Sequence, residues 1–289
     1  MIQKTSDKII DFFNIAVMII ASLVCLFPFI NVIATSLSSS NAITSGKVTF
    51  IPIEFNLDFY KKVLPDPSML QSLKFTIYLT IVYVFLALLV TIFAAYPLSR
   101  KRLRGRKTLT IIVTLTMYFS GGMVPSFLIV QKLHLLDTIW SLILPGLINT
   151  YYLIIMKSFF TSIPESLTEA AIIDGCTEIG VLFKIVLPLS MPVLATMALF
   201  YAVQRWNSFQ DALFYITSPE RNPLQLKLRA IVLANQVNDR SDAEAMKQAL
   251  NTEGLKAATL VYATVPILIV YPWLQKYFVK GMTIGAVKE

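Results

Sequence analysis

Apolar positions in this chain gather into long runs instead of alternating with polar ones. A helix needs roughly 20 mainly apolar residues to cross the hydrocarbon core of a bilayer. Six segments qualify, at about 9–35, 75–96, 109–130, 139–159, 189–209 and 257–278. The pattern predicts an all-α membrane protein of six transmembrane helices, forming a single domain over residues 1–289. The first run reads as a span and not as a signal peptide. It is longer than the about 7–15 apolar residues of a signal core, and "NVIATSLSS" is a weak cleavage site.

Several runs are interrupted. The third contains "YFSGGMVP", with Gly121, Gly122 and Pro125, while Pro28, Pro145, Pro266 and Pro272 fall in others. Backbone groups freed at membrane depth are tolerated only against protein or a wet cavity. Ordinary kinks and functional breaks both fit this pattern. No internal repeat is visible, which counts against transporter folds built from inverted halves.

Composition agrees with a bilayer. The chain is 56% hydrophobic and 15% charged, where a soluble domain carries about a quarter charged residues. Its net charge of +8 lies mostly in loops between apolar runs, which orients a membrane protein and argues against nucleic acid. The loop "SRKRLRGRKT" holds Arg100, Lys101, Arg102, Arg104, Arg106 and Lys107 with no acid. The excess of positive charge places it in the cytosol. Counting spans from there puts both termini in the cytosol and residues 36–74, 131–138 and 210–256 outside. The last of these is long, polar and reads as helical in "NDRSDAEAMKQALNTEG".

Reactive chemistry is sparse. Cys25 lies in an apolar run and Cys176 in a polar loop, so no disulfide framework is expected. His134 is the single histidine and no CxxC or HExxH occurs, so no metal site is expected. Asn41 stands where the first glycine of a phosphate loop ending at Gly46-Lys47 would have to be. No cofactor is expected in this chain; any ATP belongs to another subunit.

The loop 157–188 breaks the charge rule. It lies on the cytosolic side yet carries Glu165, Glu169, Asp174 and Glu178 against Lys157 and Lys184. Ser162-Ile163-Pro164-Glu165 has the spacing of a capping box, so a helix is expected from there to Asp174, with Gly175 as its stop. Leu167, Ala170, Ala171 and Asp174 then share one face, small enough for another surface to approach. A second short helix is expected over 177–187, ending at Pro188. Helices that lie on the inner leaflet are normally basic, since the leaflet is anionic. This one is acidic, which favours docking on a basic protein partner.

Glu169-Ala170-Ala171, Gly175 and the "IVLP" at 185–188 resemble the EAA loop of ABC importer permeases. "YFSGGMVPSFLIVQKLHLLDT", "PLSMPVLATMALFYAVQRWNSF", "NPLQLKLR" and "KGMTIGAVKE" are similar to the carbohydrate-uptake, maltose-type branch. Within it they resemble the lipoprotein/polysaccharide-type subgroup that carries complex oligosaccharides. Cys176 and Phe183 depart from the usual pattern, as alanine is common at the first position and the aromatic falls one position earlier. The resemblance implies a type I importer permease with a coupling helix that fits a groove of an ATP-binding subunit. Glu169 would be its main polar contact, Ala170, Ala171 and Asp174 its face, and Gly175 its turn. It further implies a second homologous permease, two ATP-binding subunits holding ATP and Mg, an extracellular solute-binding protein and residence in the bacterial cytoplasmic membrane. Residues 281–289 would also reach the ATPase interface.

A sugar pathway needs aromatic faces and hydrogen-bonding groups. Tyr201, Gln204, Arg205 and Ser208 follow helical spacing in the fifth run, with Trp206, Asn207 and Asp211 beside them. Arg205 would meet an acidic sugar or snorkel to water, and Trp206 also suits the interfacial aromatic belt. Two other classes remain open: an ABC permease for a non-sugar solute, and a secondary transporter working without ATP. The second would carry intramembrane carboxylates for ion coupling, and the centres of these runs hold none.

Overall fold

The computed structural model describes residues 5–119, 121–233, 253–270 and 272. No β-strand occurs among them. In chain order the helices are α1 (Thr5–Ser36), α2 (Ser40–Thr44), α3 (Asp58–Val63), α4 (Pro67–Ser99), α5 (Arg106–Leu115), α6 (Met123–Lys132) and α7 (Ile139–Ile143). They continue as α8 (Thr150–Ser162), α9 (Glu165–Ile173), α10 (Glu178–Val181), α11 (Leu187–Leu189), α12 (Met191–Asn207), α13 (Gln210–Tyr215), α14 (Leu224–Leu233) and α15 (Glu253–Val270). The chain divides into two compact units, Met1–Leu70 with Lys227–Val265, and Gln71–Leu226 with Pro266–Glu289.

In the first unit α1 is apolar, and from Ile10 to Ile33 none of its residues is buried. Such a surface has no place in water; of its polar groups, Ser22 Oγ donates to Met18 O at 2.7 Å and Asn31 Nδ2 to Thr49 O at 3.0 Å. The extramembrane segment after α1 is knit by serines. Ser38 Oγ accepts from Ile53 N at 3.1 Å, and Ser36 Oγ shares a hydrogen bond with Tyr60 Oη at 2.8 Å. Phe59 is buried against Gly254, where a Cβ would stand 2.1 Å from the ring.

The second unit is organised on α4. Along this helix Ile77, Ile81, Phe85, Leu89 and Phe93 are exposed at four-residue spacing, while Thr76, Leu79, Tyr83, Ala87, Thr91 and Ala95 are buried. The exposed face is thus more apolar than the buried one, the reverse of a soluble helix and the arrangement lipid requires. Tyr83, Leu142, Ile143, Tyr201 and Tyr215 form one core, and Ala95, Tyr96, Met156, Val181 and Met197 form another.

Among the described residues three helices, α1, α4 and α15, are long and apolar enough to cross a membrane. The pairs α7–α8 and α10–α12, bent by 54° and 81°, bring the number to five if each is one broken span. The expected third span is two ten-residue helices, α5 and α6, parted at 116–122 where Gly122 takes a φ of +85°. The break in the fourth is supported by protein. Tyr83 Oη donates to Gly146 O at 2.6 Å, Tyr201 Oη accepts from Asn149 N at 3.4 Å, and the Asn149 side chain caps α8. At these two sites the interruptions are true breaks. The sixth expected span is described only as far as α15, and its remainder, most of "NDRSDAEAMKQALNTEG" and residues 281–289 lie outside the described residues.

Candidate functional site

The acidic loop folds as an elbow. Its first helix, α9, begins after Pro164 without a side-chain cap, so the expected capping box does not form. Ser162 is instead the last residue of α8, and its hydroxyl is bound back to Phe159 O at 2.7 Å. The stop is as expected. Gly175 has φ +85°, Gly175 N donates to Ile172 O at 3.0 Å and Cys176 N to Ala171 O at 2.9 Å, the paired bonds of a Schellman turn. Thr177 then caps α10 through Gly180 N at 3.1 Å. The second helix does not end at Pro188. It passes through a π turn at Leu182–Val186 and α11 before the bend at Ser190.

The two alanines point different ways. Ala171, with Thr168, is buried in the chain's own core, whereas Leu167, Glu169, Ala170 and Asp174 are exposed. The expected shared face of four is therefore three, because the helix needs one side to pack on its own bundle. Ile173 is added to the free surface at 84% exposure, a large apolar side chain with no reason to meet water.

The basic loop after α4 meets this elbow. Lys101 Nζ donates to Glu165 Oε2 at 2.7 Å, and Arg102 Nη2 stands 4.0 Å from Glu169 Oε1. The hydrogen bond from Lys101, and its charge, hold the Glu165 carboxyl below the usual carboxylate range. Both pairs are exposed and screened by water, and such pairs contribute little. The Arg102–Glu169 pair is therefore easily exchanged. Between the two loops lies a cavity of about 360 Å³ walled by Tyr96, Arg100, Arg102, Glu165, Glu169 and Glu178. Loop contacts of this kind were not legible beforehand: the six cations carried a topological signal, but nothing in their order says which acid each meets.

The fifth run places its candidates in different settings. Tyr201 is fully buried, bonded to Thr91 Oγ1 at 2.7 Å and set edge-on to Tyr152 with centroids 4.8 Å apart. Arg205 does not snorkel. Its side chain is 4% exposed and turns inward, where Nη1 and Nη2 bind Asp211 at 2.5 and 3.0 Å and Nη1 also donates to Leu142 O at 2.8 Å. Trp206 is buried and not part of a surface belt. Gln204, Arg205 and Ser208 converge on a cavity of about 250 Å³ together with Tyr83, Gln210 and Asp211. Asn207 is exposed, donating to Val203 O at 2.9 Å, and lies apart from that cavity.

Helices with apolar outer faces, breaks backed by protein and an acid-bearing elbow with exposed apolar side chains are the features of a membrane-embedded subunit. The chain belongs to the binding-protein-dependent transport system inner membrane component family, whose profile matches residues 87–284. It is 41% identical over 283 residues to a polygalacturonan/rhamnogalacturonan transport system permease protein of Bacillus subtilis (strain 168), covering 98% of this chain and 99% of that one. It is also 44% identical over 284 residues to Protein LplC of the same strain, covering 98% and 96%. Its fold superposes with a TM-score of 0.86, at 33% identity over 96% of this chain and 99% of the other, on a chain of a bacterial ABC transporter involved in the import of the acidic polysaccharide alginate. The type I ABC importer permease fold expected from the sequence is thereby established, and with it a multi-pass membrane subunit that is not itself an enzyme.

Proposed function

We propose that this chain forms half of the transmembrane pore of an ATP-driven importer for a carbohydrate, with an oligosaccharide as the substrate class. The observation that carries the reading is the exposed elbow. Glu169 is about half exposed and held only by an exchangeable pair, and Leu167, Ala170, Ile173 and Asp174 surround it on a free surface. This surface suits the groove of an ATP-binding subunit, with Gly175 fixing the turn and Ala171 anchoring the helix to the permease. Two such subunits hold the ATP and Mg, a second homologous permease completes the pore, and an extracellular solute-binding protein delivers the sugar.

The loops at 100–107 and 157–188 are joined by the Lys101–Glu165 pair, and the excess of basic residues supports a cytosolic position for both. Both termini follow on the same side. Names of the relatives, which carry polygalacturonan, rhamnogalacturonan or alginate, support an oligosaccharide cargo. Gln204 and Ser208 offer it hydrogen bonds from the polar cavity and Asn207 from the adjoining surface, while Tyr201 supports this wall from behind. Arg205 already has its charge neutralised by Asp211, so hydroxyl groups suit this cavity better than a carboxylate.

Changing Glu169→Lys tests the reading. The variant is expected to lose recruitment of the ATP-binding subunit, or to hydrolyse ATP without uptake. Normal assembly together with normal transport would refute the assignment.

A further inference from the structure

Tyr96 is buried in the last turns of α4, and its hydroxyl is a junction. Arg100 Nη2 donates to Tyr96 Oη at 2.7 Å, and the guanidinium lies over the same ring, 4.5 Å from its centroid. Tyr96 Oη stands 2.9 Å from the Glu178 carbonyl oxygen and 3.2 Å from Glu178 Oε2. A phenol has one proton to give, and the nearer backbone carbonyl receives it. Glu178 is the first residue of α10, so the end of a transmembrane helix is bonded to the start of the loop's second helix.

The surrounding packing has the same direction. Ala95 and Tyr96 share a core with Ala171 of α9 and with Val181, Leu182 and Val186 beyond the turn. Apolar contacts resist separation but are not directional, and the Lys101–Glu165 and Arg102–Glu169 pairs are exposed and easily exchanged. Tyr96 supplies a part-buried, directional bond at this joint.

We propose that Tyr96 is a positioning residue that makes the end of α4 and the loop 165–189 move as one body, so that a displacement of the docked elbow becomes a displacement of α4. The inference rests on the docking role given above to α9, and adds which span receives the movement.

The test uses the complete complex, with partner permease, ATP-binding subunits and binding protein, in lipid nanodiscs. Cys25→Ser and Cys176→Ser clear the background, and spin labels are attached at Ser166→Cys on α9 and Phe85→Cys on the exposed face of α4. Pulsed electron resonance reads the distance in the nucleotide-free and ADP–vanadate-trapped states. With Tyr96 present, one narrow distance is expected in both states. Tyr96→Phe keeps the ring and removes the hydroxyl. Its distance is expected to differ between states or to broaden, with ATP hydrolysis stimulated by the binding protein falling about fivefold, the worth of one hydrogen bond.

Glu178→Gln keeps the backbone acceptor and is expected to match the parent. Copurification of the subunits reports docking separately, and it is expected to survive Tyr96→Phe. Unchanged distances and hydrolysis in Tyr96→Phe would overturn the proposal. So would a parent distance that shifts on trapping, a Glu178→Gln variant that behaves like Tyr96→Phe, or a loss of copurification in Tyr96→Phe.

Discussion

Replacing Asp211 by alanine removes the carboxylate that neutralises Arg205. The guanidinium is 4% exposed and makes two contacts to Asp211, at 2.5 and 3.0 Å, and one to the Leu142 carbonyl at 2.8 Å. Taking one partner from a buried ion pair costs about 3–5 kcal/mol, because the other charge is left without compensation. Asp211 is itself 24% exposed, so water can enter where the carboxylate was and the remaining carbonyl contact survives. A loss of about 2–4 kcal/mol is therefore expected for Asp211→Ala. Ser208 Oγ and Ala212 N, which both donate to Asp211 Oδ1, lose their acceptor too. Unfolding of the purified complex in detergent, followed by tryptophan fluorescence against denaturant, measures the loss. The double variant Arg205→Met/Asp211→Ala removes both charges and should recover much of it, giving a coupling on the order of 2 kcal/mol. Equal losses in the single and double variants would show that the stranded arginine is not the cause.

Gly254→Ala places a methyl 2.1 Å from the Phe59 ring, which is buried, and overpacking of this kind costs about 1–3 kcal/mol; Phe59→Leu should relieve it in the same melting assay. Gly175→Ala forces a side chain into φ +85° at a cost of about 1–2 kcal/mol, and should lower both thermal stability and copurification of the ATP-binding subunit. Asp137 accepts from Ser218 Oγ at 2.5 Å and from the Ser218 and Thr217 amides at 3.0 and 3.2 Å. The Ser218 hydroxyl bond, then the backbone bonds and the nearby Arg221, hold its carboxyl below the usual range. A carboxylate depressed by folding contributes stability above its unfolded value, near about 4, and loses it as pH falls through the folded value. Melting temperatures of the parent and Asp137→Asn, compared from pH 7 downward, should differ most at neutral pH and converge below about pH 4. A gap that stays constant with pH would refute the ionised role.

Much of the architecture could be read from local pattern, because the bilayer acts on each run separately. A long apolar stretch must become a helix whatever its neighbours are, and α1 and α4 follow directly. The elbow was legible for the same reason: Gly175 stops a helix through its own backbone freedom, and Thr177 caps the next through a local bond. The capping box at Ser162 failed because two uses competed for one residue. As the last residue of α8 its hydroxyl is already bound to Phe159 O. Pro188 failed as a terminator because the helix passes through the π turn at Leu182–Val186 just before it and runs on to Leu189, bending only at Ser190. The pairing of Arg205 was not legible because helical spacing says which residues share a side, not whether that side meets water or a carboxylate six positions on.

What the sequence by itself determined is the long apolar helices α1 and α4, the charge bias of the loops and the acid-bearing elbow with its glycine turn. These are properties of short segments and of the solvent each must occupy. The tertiary structure alone decided that Ala171 faces the bundle while Ala170 stays free, that Arg205 pairs with Asp211, and that Tyr96 meets Glu178 across 82 positions of chain. Such contacts depend on how helices rotate and cross, which is set by packing summed over many residues and is not encoded in any one of them.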